Sequence, residues 1–258
     1  VPRLIQLPKL LNAADLVARD AELDEMAAVK ALLDAGSGSL GGARPKASVV
    51  DEGRLLIAKF PHHQDEWDVM AWEKTALDLA EMCRFPTPNR SLVDVAGQKV
   101  LLLERFDRDG TTRVPYISAM TLVGARDGQE ADYLDVAEAL ADHGSSVTAD
   151  LQQLWRRVAF SIAIHNTDDH LRNHGLLHHR GGWTLSPLFD VNPDPNAAAL
   201  RATSINFRHH TDPTIERANL LEVAPHFGWS GTDAEATFDE ITDVVRTRWR
   251  DTARSNGV

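Results

Sequence analysis

Apolar positions recur with a helical period over the first 36 residues, where Leu16, Leu23, Met26, Ala27, Lys30 and Leu33 fall roughly on one stripe. Residues 36–42 break that period, and four of the seven are glycine, which permits positive φ and close backbone approach to a ligand. Ala47–Val50 and Arg54–Phe60, separated by Asp51-Glu52-Gly53, predict a β-hairpin. The helical period returns from Asp65 to Cys83, with Val69, Met70, Glu73, Ala76, Leu77 and Ala80 on one face. Residues 100–106 form an apolar run that predicts a buried strand, closed by the turn Asp107-Arg108-Asp109-Gly110. The remainder reads as mostly helical. Its clearest helix covers about 148–165 and carries Leu151, Leu154, Trp155, Val158, Ala159 and Ile162. A second short hairpin, Leu176–His178 to Trp183–Leu185, turns at Arg180-Gly181-Gly182. A strand-rich part to residue 105 followed by a helical part over 106–258 predicts an α+β chain of two lobes.

Composition narrows the function classes. A chain of 258 residues that is 43% hydrophobic and 25% charged can bury a core without metal or disulfide staples and is not intrinsically disordered. The net charge of −11 argues against non-specific binding to nucleic acid or to acidic membranes. No apolar run reaches the ~18 residues of a membrane span. Cys83 is the single cysteine and has no partner for an intramolecular disulfide, so the expected setting is a reducing cytoplasm. The chain opens on Val1 rather than Met, and upstream sequence is expected.

Candidate chemistry concentrates in His165–Asn173, a run of polar residues placed where a strongly apolar helix ends. Asp168 and Asn173 are separated by four residues, as are the Asp and Asn of phosphotransferase catalytic loops. There the Asp orients a hydroxyl nucleophile and the Asn holds magnesium. The competing reading is a polar turn that caps two elements. The second hairpin runs into Leu185-Ser186-Pro187-Leu188-Phe189-Asp190, which sets Asp190 where a second metal-binding carboxylate belongs; the alternative is a simple turn. Lys59, in phase with Leu55 and Ile57, is expected to point to the apolar face of its strand, and Glu73 lies on a buried helical stripe. Such a pair can compensate each other, as a structural ion pair or as the Lys–Glu pair that places nucleotide phosphates. Upstream, Gly41, Gly42, Ala43, Arg44 and Lys46 offer backbone amides and two cations to a polyphosphate, or form a linker.

These segments, in this order, resemble the HipA-type serine/threonine kinases, the toxin component of bacterial toxin–antitoxin modules. The matching pieces are SLGGARPKA (39–47), LIAKFP (56–61), LLERFDR (102–108), NTDDHLRNHG (166–175) and LSPLFDV (185–191), and the likeness extends from about residue 30 to 250. The resemblance implies a two-lobed protein-kinase-like fold using ATP and Mg2+. It implies that Lys59 binds phosphate, Asp168 is the catalytic base, His170 and Asn173 contact nucleotide or metal, and Asp190 holds magnesium. It further implies that Glu104, Arg105 and Phe106 form the hinge holding adenine, residues 41–46 the phosphate loop, and Ser39 a site of self-silencing autophosphorylation. The implied partners are a protein substrate with a Ser or Thr acceptor and a HipB-like antitoxin. Members commonly carry an additional N-terminal subdomain, after which this chain is expected to start. Asp190-Val191-Asn192 departs from Asp-Phe-Gly and no Ala-Pro-Glu follows, so an ordinary activation loop is not expected.

Three rival readings stay open on the residues alone. His170 and His174 could share a helix face around zinc, although Gly175 breaks a helix there and no Cys is near. An aminoglycoside-type small-molecule kinase uses an Asp and Asn at the same spacing. A non-catalytic nucleotide-binding module on a kinase scaffold is the third.

Overall fold

The structure, a computed structural model, describes residues 1–20, 44–126, 129–179 and 181–258. These divide into two compact units: Val1–Thr75 with Pro88–Thr111 and Ala253–Val258, and Ala76–Thr87 with Thr112–Thr252.

The first unit is built on a four-stranded antiparallel sheet of β1 (Lys46–Asp51), β2 (Arg54–Lys59), β3 (Arg90–Val95) and β4 (Gln98–Glu104), in the order β1-β2-β4-β3. Helix α1 (Leu7–Asp20) presents Leu7, Leu10, Leu11 and Ala14 at helical spacing. These pack on Ala47, Val49, Leu56, Ala58, Val100 and Leu102, which alternate onto one sheet face. The predicted first helix is therefore present to Asp20; Leu23, Met26, Ala27, Lys30 and Leu33 lie outside the described residues, as does the side chain of Leu16. Alternation keeps Lys59 in phase with Leu55 and Ile57, as the sequence predicted. This is the sheet face turned away from α1, and it is apolar as well, since Ile57 pairs with the buried Leu103 and Lys59 with the buried Leu101. Lys59 is itself buried there. Strand β3, which the sequence reading did not isolate, pairs along β4 with Leu92 opposite Leu101. It is an edge strand of mixed polarity, so its apolar signal is weak. Helix α2 (Val69–Met82) starts four residues later than predicted, because the Asp68 carboxylate accepts from the Ala71 amide (2.9 Å) and caps it there.

The second unit is mainly helical. It contains the short α3 (Ala119–Leu122), α4 (Tyr133–His143), α5 (Val147–Ala163), α6 (Pro213–Val223) and most of α7 (Gly231–Ser255). A three-stranded antiparallel sheet of β5 (Tyr116–Ser118), β6 (Gly175–His179) and β7 (Gly182–Leu185) completes it. Most of the stripe predicted for α5 is its core: Leu154, Trp155, Val158, Ala159 and Ile162 are buried, Leu151 at the start is half-buried, and Phe160, outside the predicted stripe, is buried too. Trp155 Nε1 donates to the Leu220 carbonyl (3.0 Å), so even its indole N–H is satisfied. Gly175 begins β6, where a Cβ would fall 2.5 Å from the Tyr116 ring and 2.7 Å from Ser186 Oγ; no larger residue fits.

Beneath the loop that leaves α5 lies a buried polar network. Asp169 accepts from Tyr133 Oη (2.7 Å) and Ser161 Oγ (2.9 Å), and its second oxygen is 3.0 Å from His174 Nε2. Arg201 donates to the Asn166 carbonyl (2.7 Å) and pairs with Glu216 (2.8 and 3.2 Å). Thr203 Oγ1 bonds the Asp169 carbonyl and the Ala202 amide the Thr167 carbonyl, each at 2.7 Å. Burial alone would push the Asp169 carboxyl up. The positive surroundings and donors, His174 first and then Arg201 and Tyr133, outweigh it and hold the group well below the usual carboxylate range. A carboxyl depressed in the folded state stabilises it fully above the unfolded value of about 3.9 and loses that contribution as pH falls. Urea midpoints are therefore expected to be flat near neutrality and to drop below about pH 4, and Asp169→Asn should flatten the acid limb.

Candidate functional site

In the first unit, the expected Lys–Glu pair is formed. Lys59 at the end of β2 meets Glu73 on α2 with Nζ–Oε1 at 2.5 Å, and both side chains are almost wholly buried. Four carbons of lysine stem span from the sheet face to the helix, and the two charges neutralise each other where neither alone would be tolerated. Arg44 pairs with the Asp65 carboxylate at 2.5 and 2.7 Å, and the same carboxylate accepts from the His62 amide. Lys46 begins β1 opposite Lys59. Ser39, Gly41, Gly42 and Ala43 lie outside the described residues. At the end of β4, Glu104 accepts from Asn89 Nδ2 (2.8 Å), and the Arg105 guanidinium is turned onto Asp107 (2.8 and 2.6 Å). Arg108 joins the same carboxylate, so burial of Asp107 is outweighed and its carboxyl lies below the usual range. The ladder ends at Glu104, two residues before the predicted end of the strand, and Arg105 and Phe106 follow outside it.

In the second unit, Asp168, His170, Asn173 and Asp190 are brought together by the loop that follows α5. The helix stops at Ile164, and His165 takes a left-handed φ of 55°, which turns the chain sharply. The His170 amide donates to the Asp168 carbonyl (3.0 Å), and the Asn173 amide to the His170 carbonyl (2.8 Å). Asn173 is buried, and its Nδ2 donates to the Asp168 carbonyl at 2.9 Å and reaches the Asp190 carbonyl at 3.5 Å. One side chain thus ties the loop to the segment after β7. With Nδ2 engaged, Oδ1 is the atom left for a cation. Asp190 has a left-handed φ of 57°, costly for a non-glycine residue and held only where surrounding contacts enforce it.

Asp168 is exposed, yet water exclusion by the surrounding loop raises its pKa. His170 opposes that rise, while the carboxylates of Asp190, Asp169 and Asp194 add to it. Accumulated negative charge and hard oxygen donors suit a divalent cation that keeps waters and phosphate oxygens in its shell. Among the described residues, no three His, Cys, Asp or Glu side chains form a closed metal cluster. His174, half of the zinc alternative, is buried against Asp169.

Sequence reasoning missed the groups that hold this loop. Asp194 accepts from Thr167 Oγ1 (2.5 Å) and gives its amide to the His165 carbonyl (2.8 Å). Arg201, Tyr133 and Asp169 lie below it. Asn192-Pro193 and Asp194-Pro195 marked a turn, but nothing in spacing linked Arg201 or Tyr133 to a loop so distant in sequence.

Among known proteins, the chain matches the model of the HipA-like C-terminal domain over residues 38–249. A Haemophilus influenzae protein named "Putative kinase" is 24% identical over 222 residues, which cover 74% of this chain and 64% of that protein. HipA of Shewanella oneidensis, solved in complex with HipB and operator DNA, superposes with a TM-score of 0.64 at 17% identity, over 85% of this chain and 58% of that one. The Helicobacter pylori proinflammatory kinase CtkA superposes with a TM-score of 0.55 at 16% identity, over 83% of this chain and 94% of its own. The chain therefore spans somewhat under two thirds of the first two proteins and has the kinase-like fold of the solved pair. The domain model, covering most of the sequence, places the protein in the HipA-like family.

Proposed function

We propose that the protein is an ATP- and magnesium-dependent kinase that phosphorylates a serine or threonine of a protein acceptor. The observation that carries this reading is the bonding of Asn173 to the carbonyls of Asp168 and Asp190, which fixes a base candidate beside two oxygen donors suited to magnesium. Residues 1–105 are read as the lobe carrying the phosphate loop and Lys59, and 106–258 as the lobe carrying the base and the metal-binding residues. Lys59, oriented by Glu73, would neutralise nucleotide phosphates. Asp190 and Asn173 would hold magnesium, which when bound offsets charge on the β- and γ-phosphates. Asp168 takes the hydroxyl proton as the acceptor oxygen bonds to the γ-phosphorus; the bond from that phosphorus to the β–γ bridging oxygen breaks and ADP leaves. Its carboxyl must be ionised for this step, so the raised pKa makes it a stronger base and moves the acid limb of the rate profile upward. Adenine would rest on the backbone of Glu104, Arg105 and Phe106, with His170 on the nucleotide. The family relation also supports a HipB-like antitoxin as partner, a cytoplasmic setting, and Ser39 as a self-phosphorylation site, where about −1.5 to −2 of added charge would oppose ATP phosphates.

Asp168→Asn is expected to lower the rate of phosphoryl transfer about 10²–10⁴-fold, the usual worth of a general base, with nucleotide affinity by calorimetry unchanged. In the same incubations, mass spectrometry should find phosphate on Ser39 of the parent and none on the variant. Wild-type turnover in Asp168→Asn would remove it as the base.

Lys59 and Glu73 give a test that separates fold from function. Lys59→Met strands a buried carboxylate and should cost about 3–5 kcal/mol in urea unfolding, whereas Lys59→Met with Glu73→Met should recover most of that loss. Phosphoryl transfer should be absent from both. An active double variant would make the pair purely structural.

A further inference from the structure

Beside the Asp168 loop, and wholly within the second unit, lies a pocket of about 280 Å3. Its walls come from three places: the stretch after α3 (Arg126, Glu130), the loop itself (His170, Arg172), and the segment from Ala202 to His209. The protein carries a net charge of −11, yet this pocket collects two arginines and two histidines against the single carboxylate of Glu130.

Several polar groups of the pocket are already committed within the protein. The Thr203 hydroxyl is committed to the Asp169 carbonyl (2.7 Å) and that of Ser204 to the Asp132 carboxylate (3.0 Å). His209 Nδ1 is held by the Arg201 carbonyl (3.0 Å). His170 Nδ1, in contrast, is buried with no hydrogen-bond partner, and the Arg126 guanidinium has no carboxylate partner among the described residues. Donor capacity thus resides in guanidinium and imidazole groups, the chemistry that recognises a carboxylate, in a fork geometry that arginine supplies bidentately. The volume falls just under the roughly 300–1,000 Å3 of small-molecule sites, which suits one side chain with its flanking backbone better than a second nucleotide. The walls are also fixed in place. Asp132, fully buried at the N-cap of α4, accepts from the Ser204 hydroxyl and the Phe207 amide (2.5 Å), pinning the segment that carries Thr203, Ser204 and His209.

We propose that this pocket is an acceptor subsite: it takes the carboxylate side chain of a glutamate or aspartate near the serine or threonine delivered to Asp168. The main-chain bond from His170 to Asp168 (3.0 Å) puts the pocket wall and the base in one turn of chain, so an anion seated there fixes the hydroxyl's approach. This assignment rests on the kinase reading, and the experiment separates the two.

A fluorescein-labelled serine peptide flanked by glutamates, and its glutamine-flanked counterpart, are titrated with the full chain by anisotropy without nucleotide. They are then compared as acceptors with ATP and magnesium. The glutamate peptide should bind about tenfold more tightly, equivalent to about 1.4 kcal/mol. That preference should vanish in Arg126→Gln, shrink in Arg172→Gln and partly return in Arg126→Lys. Arg126 is exposed, so Arg126→Gln should fold normally and phosphorylate the glutamine peptide at the parent rate. Equal binding of both peptides by the parent, or an undiminished preference in Arg126→Gln, overturns the subsite whatever the transfer assay reads. An intact preference without transfer to any serine or threonine acceptor overturns the kinase reading and the acceptor role with it.

Discussion

A buried carboxylate governs the second unit. Asp169 sits next to the exposed Asp168 but points into the protein, where an unpaired charge could not persist. Three groups meet its carboxylate, Tyr133 from α4, Ser161 from α5 and His174 just before β6, while Thr203 donates to its main-chain carbonyl. Arg201 holds the carbonyl of Asn166, three residues before Asp169, and is itself fixed by Glu216 on α6. The loop bearing Asp168 is therefore clamped by its own neighbour. A surface side chain gains a defined position without being buried, since the cost of ordering the loop is borne by the residues beneath it.

The first unit solves a similar problem differently. One face of its sheet buries apolar side chains under α1; the other carries Lys59 to Glu73. Because side chains alternate with period two, a strand can serve a core and a charged site at once, provided both faces are covered. A shift of register by one residue would exchange them, so the six paired positions from Lys46–Lys59 to Asp51–Arg54 fix the lysine as firmly as any direct contact does.

How much of this was legible in the sequence follows from the range of each interaction. The hairpin of β1 and β2, helix α5 and the hairpin of β6 and β7 are encoded locally by period and turn residues, and each appears within a few residues of its predicted place. Lys59 and Glu73 were readable as a pair because each sat at an inward position of its own element. Lys59 lies in phase with Leu55 and Ile57, as read; what strand period alone could not tell is that both faces are covered, and that α1 packs on the face of Leu56 and Ala58. Arg201, Asp194 and Tyr133 left no local trace. Their roles are set by tertiary bonds to the Asp168 loop, and such bonds have no periodicity.

Strain marks the same positions from another direction. His165 and Asp190, at the two ends of the chemistry-bearing stretch, both hold left-handed φ angles that cost non-glycine residues of order 1 kcal/mol or more. Glycine would remove that cost but would also loosen the loop, giving back backbone entropy that the buried network has already overcome. Asp190 needs its carboxylate for any role in holding a cation, so the strain there accompanies a side chain that cannot be traded for freedom. His165 has its own tie, since its carbonyl accepts the Asp194 amide, and Asp194 in turn accepts from Thr167 two residues further on. The left-handed turn is what aims that carbonyl at the post-β7 segment while α5 ends behind it. The network below and the turns at either end thus act on one stretch of chain, holding Asp168 from beneath and Asn173 and Asp190 from the sides.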